Sequence, residues 1–462
     1  MKKHSFLGGL LTLILVLSMI LTSTALLTVA TDEGEPQAVA GDSPINAESE
    51  SIPGDVSGNG YVDLLDLLML VRYFADFDYD ADKTMDIDGG DYNKDGKIDM
   101  TDILELRKYL ANEDLGEGED PDRPIDNISA LSPAVGSTVV LANDTVYSWY
   151  QKFDGTSLTV PPVSHQDLYY PVPVTFEWAC REEADYYLVY ISTDENMEDA
   201  ISFVTNCTDL QIENLFVGTK YYWQVDAVCG NETLRSEVFT FTTANSPRTV
   251  NVEGVSNFRD IGGFPAGDGY RIKQGMIYRG AKLENITEKG KNTFLYELGI
   301  KTDYDLRTPG EGGAGVKSPI SDSLKYYNFD GRYYCGSKGI TTEENKKIVA
   351  DEVRVFADPD NYPVYIHCSL GRDRTGTIVF ILQALCGVGK NDLYADYEMS
   401  MFSVAGTTDN ANPWADIQGV RSYINGYDGA TFADKTANYL ISCGITEEEI
   451  ASIRSILIEE VE

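Results

Sequence analysis

The stretch from His367 to Gly376, His-Cys-Ser-Leu-Gly-Arg-Asp-Arg-Thr-Gly, constrains this chain more than any other. An apolar β-type run, Pro363–Ile366, precedes it, and a long helical pattern, Thr377–Leu385, follows. Strand, tight loop and helix start in succession build an anion cradle. Loop N–H groups converge on its centre, and the helix N-terminus adds a positive partial charge. That field favours a thiolate at Cys368, which makes it a nucleophile at neutral pH. Five residues on, the planar fork of Arg374 can grip two phosphate oxygens. The residues therefore point to phosphate-ester cleavage through a phosphocysteine. A bare Cys-x5-Arg is common by chance; His367, the mid-loop Gly371, Thr375-Gly376 and the strand–loop–helix setting make this one specific. A loop that only bound phosphate would not need both the nucleophile and the arginine.

Composition limits the remaining possibilities. The formal net charge of −38 argues against nucleic acid and anionic membranes as general partners. It also repels phosphate at long range, so affinity for phosphate must come from local geometry. Residues 1–30 read as a signal peptide: Lys2-Lys3, an apolar run from Phe6 to Leu27 broken by polar and glycine residues, then Thr28-Val-Ala30 as a small-residue cleavage site. The expectation is a secreted protein, extracellular or held on a cell-surface scaffold. Seven cysteines are too few, and odd in number, for a disulfide framework. An exposed thiol nucleophile outside the cell is open to oxidation, which suggests an anaerobic or reducing setting.

Residues 31–51 read as a disordered acidic linker. Residues 52–112 hold an internal repeat. Its first copy places oxygen ligands at Asp55, Ser57, Asn59, Asp63 and Asp66, with the Tyr61 carbonyl at position seven. Its second places them at Asp91, Asn93, Asp95, Asp99 and Asp102, with the Lys97 carbonyl. Glycine at position six permits the sharp turn of a calcium loop, and an apolar helical pattern follows each copy. Position twelve is Asp rather than the Glu of an EF-hand. Paired loop-and-helix units of this kind resemble a type I dockerin. The resemblance implies two structural Ca2+ ions and a cohesin domain of a scaffold protein as partner. Loop one, with neutral Ser57 and Asn59, is expected to bind the weaker.

Residues 113–125 form an acidic, extended linker. Residues 126–245 show alternating strand-length runs (174–178, 186–191, 220–225 and 237–242) and no strong helix, which predicts a β-sandwich. Trp178 on an early strand, and Tyr221 at a corner before the Tyr-Trp-Gln-Val strand, make the region resemble a fibronectin type III domain. A spacer or packing partner is the expected role.

Residues 248–462 carry the chemistry. Asn257-Phe-Arg-Asp-Ile-Gly-Gly263, Tyr278-Arg-Gly280, Gly299–Arg307, the Cys368 loop and a C-terminal helix after Tyr439 together resemble the bacterial protein tyrosine phosphatase family, which has triple-specificity and phosphoinositide-active members. The resemblance implies an α/β domain with a central, mostly parallel sheet and a P-loop. It also implies in-line attack by Cys368, oxyanion contacts from Arg374 and from the N–H groups of Ser369, Leu370, Gly371 and Arg372, and no cofactor for catalysis. Thr375 is placed to bond the sulfur, and His367 to fix the loop. Two candidates compete for general acid: Asp373 inside the loop, and Asp330 in Tyr-Asn-Phe-Asp-Gly. Arg372 is a candidate for a second phosphate. Arg259 and Asp260 are expected to pair with each other and brace the loop. Glu311, four residues beyond Arg307, is a further candidate neighbour. Residues 402–434 read either as a lid or as an insertion.

The whole chain is thus expected to be multidomain: dockerin, β-sandwich, then α/β phosphatase domain. The leading functional reading is a secreted phosphotyrosine or dual-specificity phosphatase docked on a cohesin scaffold. Phospholipid or inositol phosphate substrates, or a non-catalytic docking and adhesion protein, are the alternatives.

Overall fold

The computed structural model describes residues 92, 94, 128–155, 169–180, 184–229, 232–329, 339–403 and 413–461. The expected signal peptide, both linkers, the calcium-loop residues from Asp55 to Asp102 named above, and Asp330 lie outside these residues.

The first described region is built on two sheets. One has the order β1 (Ile128–Ser132), β3 (Val174–Cys180) and β6 (Asp209–Ile212). The other runs β2 (Ser137–Val139), β9 (Phe239–Thr243), β7 (Lys220–Cys229), β4 (Tyr186–Ser192) and β5 (Ile201–Thr205), with β8 (Glu232–Arg235) also paired to β7. Alternation along β3 and β7 turns Phe176, Trp178, Tyr221, Trp223 and Val225 inward. Phe176 meets Trp223 and Phe241 edge-on across the sheets, at 5.2 and 5.6 Å between ring centres. Tyr221 accepts a hydrogen bond from the Phe216 N–H, 2.7 Å away, as a corner tyrosine does.

One element here departs from expectation. Helix α1 (Asp144–Lys152) interrupts the strands. Asn143 caps it, its side chain accepting from the Thr145 N–H at 2.9 Å. Val146 and Trp149, one helical turn apart, are buried, but not against these sheets: they pack with Tyr169 onto Ala395, Met399 and Phe402 of the second region. A nine-residue helix whose apolar stripe is this short has little local signal; its partner, far along the chain, stabilises it.

The second region is α/β. Its central sheet has the order β10 (Arg259–Asp260), β12 (Ile277–Gly280), β15 (Val364–His367), β13 (Thr302–Asp305) and β14 (Lys325–Asn328). β12, β15, β13 and β14 are parallel, and β10 is antiparallel. A small pair, β11 (Tyr270–Ile272) with β16 (Ile458–Glu460), closes the C-terminus. One face of the sheet carries α2 (Glu288–Asn292) and an aromatic cluster of Phe258, Phe294 and Tyr365. The main core lies on the other face, with α3 (Glu343–Arg354), α4 (Asp373–Leu385), α5 (Lys390–Glu398), α6 (Pro413–Ile424), α7 (Phe432–Cys443) and α8 (Glu447–Leu457). Ile417, Val420 and Ile424 enter that core, so α6 is packed structure rather than a lid.

The two regions interlock. Val217 exchanges both backbone hydrogen bonds with the Gln274 amide at 2.9 Å. Arg248 donates to the carbonyls of Asn214 and Leu215 on one side and to Asp260 on the other. No described helix is long and apolar enough to cross a membrane.

Candidate active site

The Cys368 loop joins β15 to α4, where the parallel strands end. Strand β15 is buried on both sides, so its last residue, His367, opens directly into the loop. Gly371 has φ +70°, and a Cβ there would lie 2.1 Å from the Gly280 carbonyl oxygen. Only glycine lets the loop lie against the end of β12 in this way.

The loop carbonyls are held outward. Asn257 donates to the Leu370 carbonyl at 2.9 Å. Arg279 donates to the Gly371 carbonyl at 2.8 Å and, more weakly, to that of Arg372 at 3.4 Å. A peptide's N–H points opposite to its C=O, so tying these three oxygens back turns the N–H groups of Gly371, Arg372 and Asp373 toward the centre. Burial by itself raises the Cys368 thiol, but the Arg374 charge, the Thr375 hydroxyl and the N–H groups of Thr375 and Leu370 outweigh it and hold the pKa below the ordinary thiol value. Among the described residues the Thr375 hydroxyl has no other hydrogen-bond partner.

Arg374 is buried and meets Glu311 in a two-pronged pair, at 2.8 and 2.6 Å. Ser369 donates its hydroxyl to the same carboxylate at 2.9 Å. Bonding to Arg374 pulls the Glu311 pKa down to about 2. Glu311 thus joins the loop and, with the Leu306 carbonyl at 3.2 Å, orients the guanidinium. His367 sits behind the sulfur, bonded through Nε2 to Asp303 at 2.9 Å. Burial pushes its pKa down, but Asp303 and Asp305 outweigh this and raise it. His367 faces the sheet, as a fixing residue would.

Asp373 starts α4 and pairs with its neighbour Arg372 at 3.0 Å, while Tyr397 donates to it at 3.3 Å. Arg372 is buried and turned onto Asp373, not outward as an arm for a second phosphate would be.

The expected Arg259–Asp260 pair is absent. Neighbouring residues on a strand face opposite sides, and β10 sends these two apart. Asp260 pairs with Arg248 at 2.6 Å, whereas Arg259 pairs with Asp396 at 2.8 Å. Asp396 also takes Arg279 at 2.5 Å. Two fully buried arginines therefore share one buried carboxylate directly behind the loop. Arg259 further donates to Asn257 Oδ1 at 2.6 Å and to the Tyr169 hydroxyl at 2.9 Å. Asp396, Arg279, Asp303 and Tyr169 are the residues that sequence reading missed. For Arg279 a signal existed, since it is the centre of the Tyr-Arg-Gly motif.

Comparison with known proteins agrees with this geometry. Residues 250–459 match the tyrosine phosphatase family, and residues 53–111 and 89–127 match the type I dockerin domain. A Cupriavidus necator protein named as a tyrosine-protein phosphatase is 25% identical over 33% of this chain, and the match spans 66% of that relative, just under two thirds of its length. The triple specificity protein phosphatase PtpB of Mycobacterium tuberculosis is 26% identical over 33% of this chain and 68% of its own. Among solved structures, the core catalytic domain of a PP-IP phosphatase from S. cerevisiae is matched at 18% identity and a TM-score of 0.25, over 37% of this chain and 88% of that one; a likeness this low says nothing of substrate. Residues 250–459 thus form a domain similar to the tyrosine phosphatase family, in a chain that also matches the type I dockerin domain.

Proposed function

We propose that this protein is a cysteine-dependent phosphatase that hydrolyses phosphate monoesters, phosphotyrosine first among them, while docked to a scaffold. The observation that carries the reading is the loop itself: a thiol held toward its ionised form, inside N–H groups whose carbonyls are tied away. In the first step the Cys368 thiolate attacks phosphorus, the bond to the leaving oxygen breaks, and that oxygen takes a proton. The three equatorial oxygens lie against Arg374 and the loop N–H groups. In the second step water attacks the phosphocysteine, the P–S bond breaks, and inorganic phosphate leaves with the thiolate restored. Thr375 supports the departing sulfur. Asp373, at the loop's rim, is the general acid we favour among the described residues, and Asp330 the alternative. His367 and Glu311 hold the loop and the arginine in place.

The dockerin resemblance supports a calcium-dependent dock onto a cohesin and hence an extracellular setting. Asp55, Ser57, Asn59, Tyr61, Asp63 and Asp66 would hold one Ca2+. Asp91, Asn93, Asp95, Lys97, Asp99 and Asp102 would hold the other. The strand order and the Tyr221 corner support a fibronectin type III-like spacer for residues 126–245.

The test is phosphate release by the full chain from phosphotyrosine peptides, phosphoinositides and inositol polyphosphates, with Cys368→Ser as control. We expect turnover of at least one monoester and a loss of about a thousandfold or more in the control. Release that survives the control defeats the phosphocysteine reading. Turnover confined to the inositol compounds would replace the phosphotyrosine reading with the lipid one. Asp373→Asn should cost about 10²–10⁴ in kcat if it donates the proton.

A further inference from the structure

Tyr169 lies outside the matched family domain, in the β-sheet region, yet its ring is buried at 2% exposure against α5 and its neighbours. Its hydroxyl oxygen accepts from Arg259 Nη1 at 2.9 Å. From Arg259 two short routes reach the loop. One runs through Asn257, whose Oδ1 takes Arg259 Nη1 at 2.6 Å and whose amide holds the Leu370 carbonyl at 2.9 Å. The other runs through the Asp396 carboxylate to Arg279 and the Gly371 carbonyl.

Charge gives this contact its weight. Two guanidinium groups, each fully buried, share one carboxylate, so the cluster carries a surplus positive charge in a dry place. Burying such a charge is costly unless its donors are satisfied, and among the described residues Arg279 Nε has no partner. The carbonyls of Gly371, Asn257 and Asp396, the Asn257 side chain and the Ser400 hydroxyl take most of the N–H groups. Tyr169 supplies the remaining oxygen at Arg259 Nη1, and it comes from a different region of the molecule. Trp149, Val146 and Phe402 pack beside it and keep water out.

We infer that Tyr169 is a positioning residue for Cys368: the β-sheet region completes the buried Arg259–Asp396–Arg279 brace and thereby sets the loop in its thiolate-stabilising form. The inference goes beyond the phosphatase reading and uses it only for its kinetic arm. If the hydroxyl is removed, the second Nη1 hydrogen of Arg259 keeps only the long 3.4 Å contact to the Asn257 carbonyl, and the guanidinium turns toward Asn257 or Asp396. The carbonyls of Leu370 and Gly371 are then held less firmly, and the N–H groups facing the sulfur spread. The ring still fills its pocket, so the fold survives.

The experiment uses the full chain with Tyr169→Phe. The first readout needs no substrate: the rate of Cys368 alkylation by iodoacetamide against pH, with Cys368→Ser marking the background from other thiols. We expect the inflection to move to higher pH by a few tenths of a unit or more, with a cooperative unfolding transition retained and its midpoint lowered by about a few degrees. The second readout is turnover of a phosphate monoester, where kcat should fall about tenfold with KM little altered. A double-mutant cycle with Arg259→Lys should be strongly non-additive. An unmoved inflection, or additive effects in the cycle, overturns the inference. Should Tyr169→Phe yield no folded protein, Arg259→Lys reads the same inflection, and an unmoved value there overturns it equally. A moved inflection without measurable turnover leaves the inference standing and defeats the phosphatase reading alone.

Discussion

The two sides of the Cys368 loop are built by opposite means. On the front, Arg374 meets the Glu311 carboxylate, whose side chain is 31% exposed. The pair is close to balanced in charge, and its residues come from the loop and from the turn after β13. At the rear, Arg259 and Arg279 share Asp396 with no access to water, and the parts come from β10, β12, α5 and the distant Tyr169. Under the proposed function the front has to admit a phosphate, and Glu311 there is reachable from solvent. The rear has only to hold peptide groups still, so it can be dry and charge-dense. Low dielectric strengthens each rear contact and makes any loss there expensive.

Asp396→Asn is the sharpest way to break that contrast. It leaves two buried guanidinium groups with no counter-charge, and loss of one partner of a buried pair typically costs about 3–5 kcal/mol. Denaturant unfolding of the full chain should show a midpoint shift of that order, together with loss of turnover. A cost under about 1 kcal/mol would mean that the rear cluster is no more coupled than a surface pair.

Glu398 offers the reverse experiment. It is fully buried at the end of α5, and among the described residues neither carboxylate oxygen has a hydrogen-bond partner. Burial pushes its pKa up to about 7, with Arg372 pulling the other way. A folded value above the unfolded one means that the folded protein holds the extra proton between about 4.5 and about 7. Stability therefore falls as pH rises through that window. Glu398→Leu should raise stability by about 1–3 kcal/mol at pH above 7, from removing an unpaired buried carboxyl. The gain should shrink toward pH 4.5. A gain that does not vary with pH would show that shape, not charge, sets the cost of this residue.

The same front-and-rear division governs what could be read beforehand. The front is nearly contiguous. Cys368, Arg374 and Thr375 lie on one loop and helix start, and the loop's geometry follows from strand–Gly–helix spacing. Even Glu311 was within reach, since it follows the Asp-Leu-Arg end of β13 by one short turn. The rear is assembled by topology. Nothing near Arg259 indicates that α5 will bring Asp396 to it, and the adjacent Asp260 is a misleading partner because strand alternation turns it to Arg248. Helix α1 escaped for the same reason: its buried stripe of Val146 and Trp149 makes sense only against Met399 and Phe402. Four strands of the β-sheet region, β3, β4, β7 and β9, were by contrast legible, since alternation is a local property.

The smallest effect expected is on the front, from Glu311→Gln. The amide keeps the shape and one acceptor oxygen but loses the charge that Arg374 and Ser369 share. Because the carboxylate is about a third exposed, water and salt screen it, and the stability change should stay under about 1 kcal/mol. Its pH dependence has the opposite sign to that of Glu398. The folded pKa of about 2 lies below the ordinary value of 4.5, so the clamp's contribution is fully present above pH 4.5 and is lost as pH falls toward 2. The difference between wild type and Glu311→Gln should thus be constant from pH 7 to 5 and shrink below that. Turnover should drop by less than tenfold, with the acid limb of the profile unmoved, because that limb reports protonation of Cys368 and not of Glu311. A limb that shifts with Glu311→Gln would tie the front carboxylate to the thiolate directly, and the division between a front that orients the arginine and a rear that sets the sulfur would have to be redrawn.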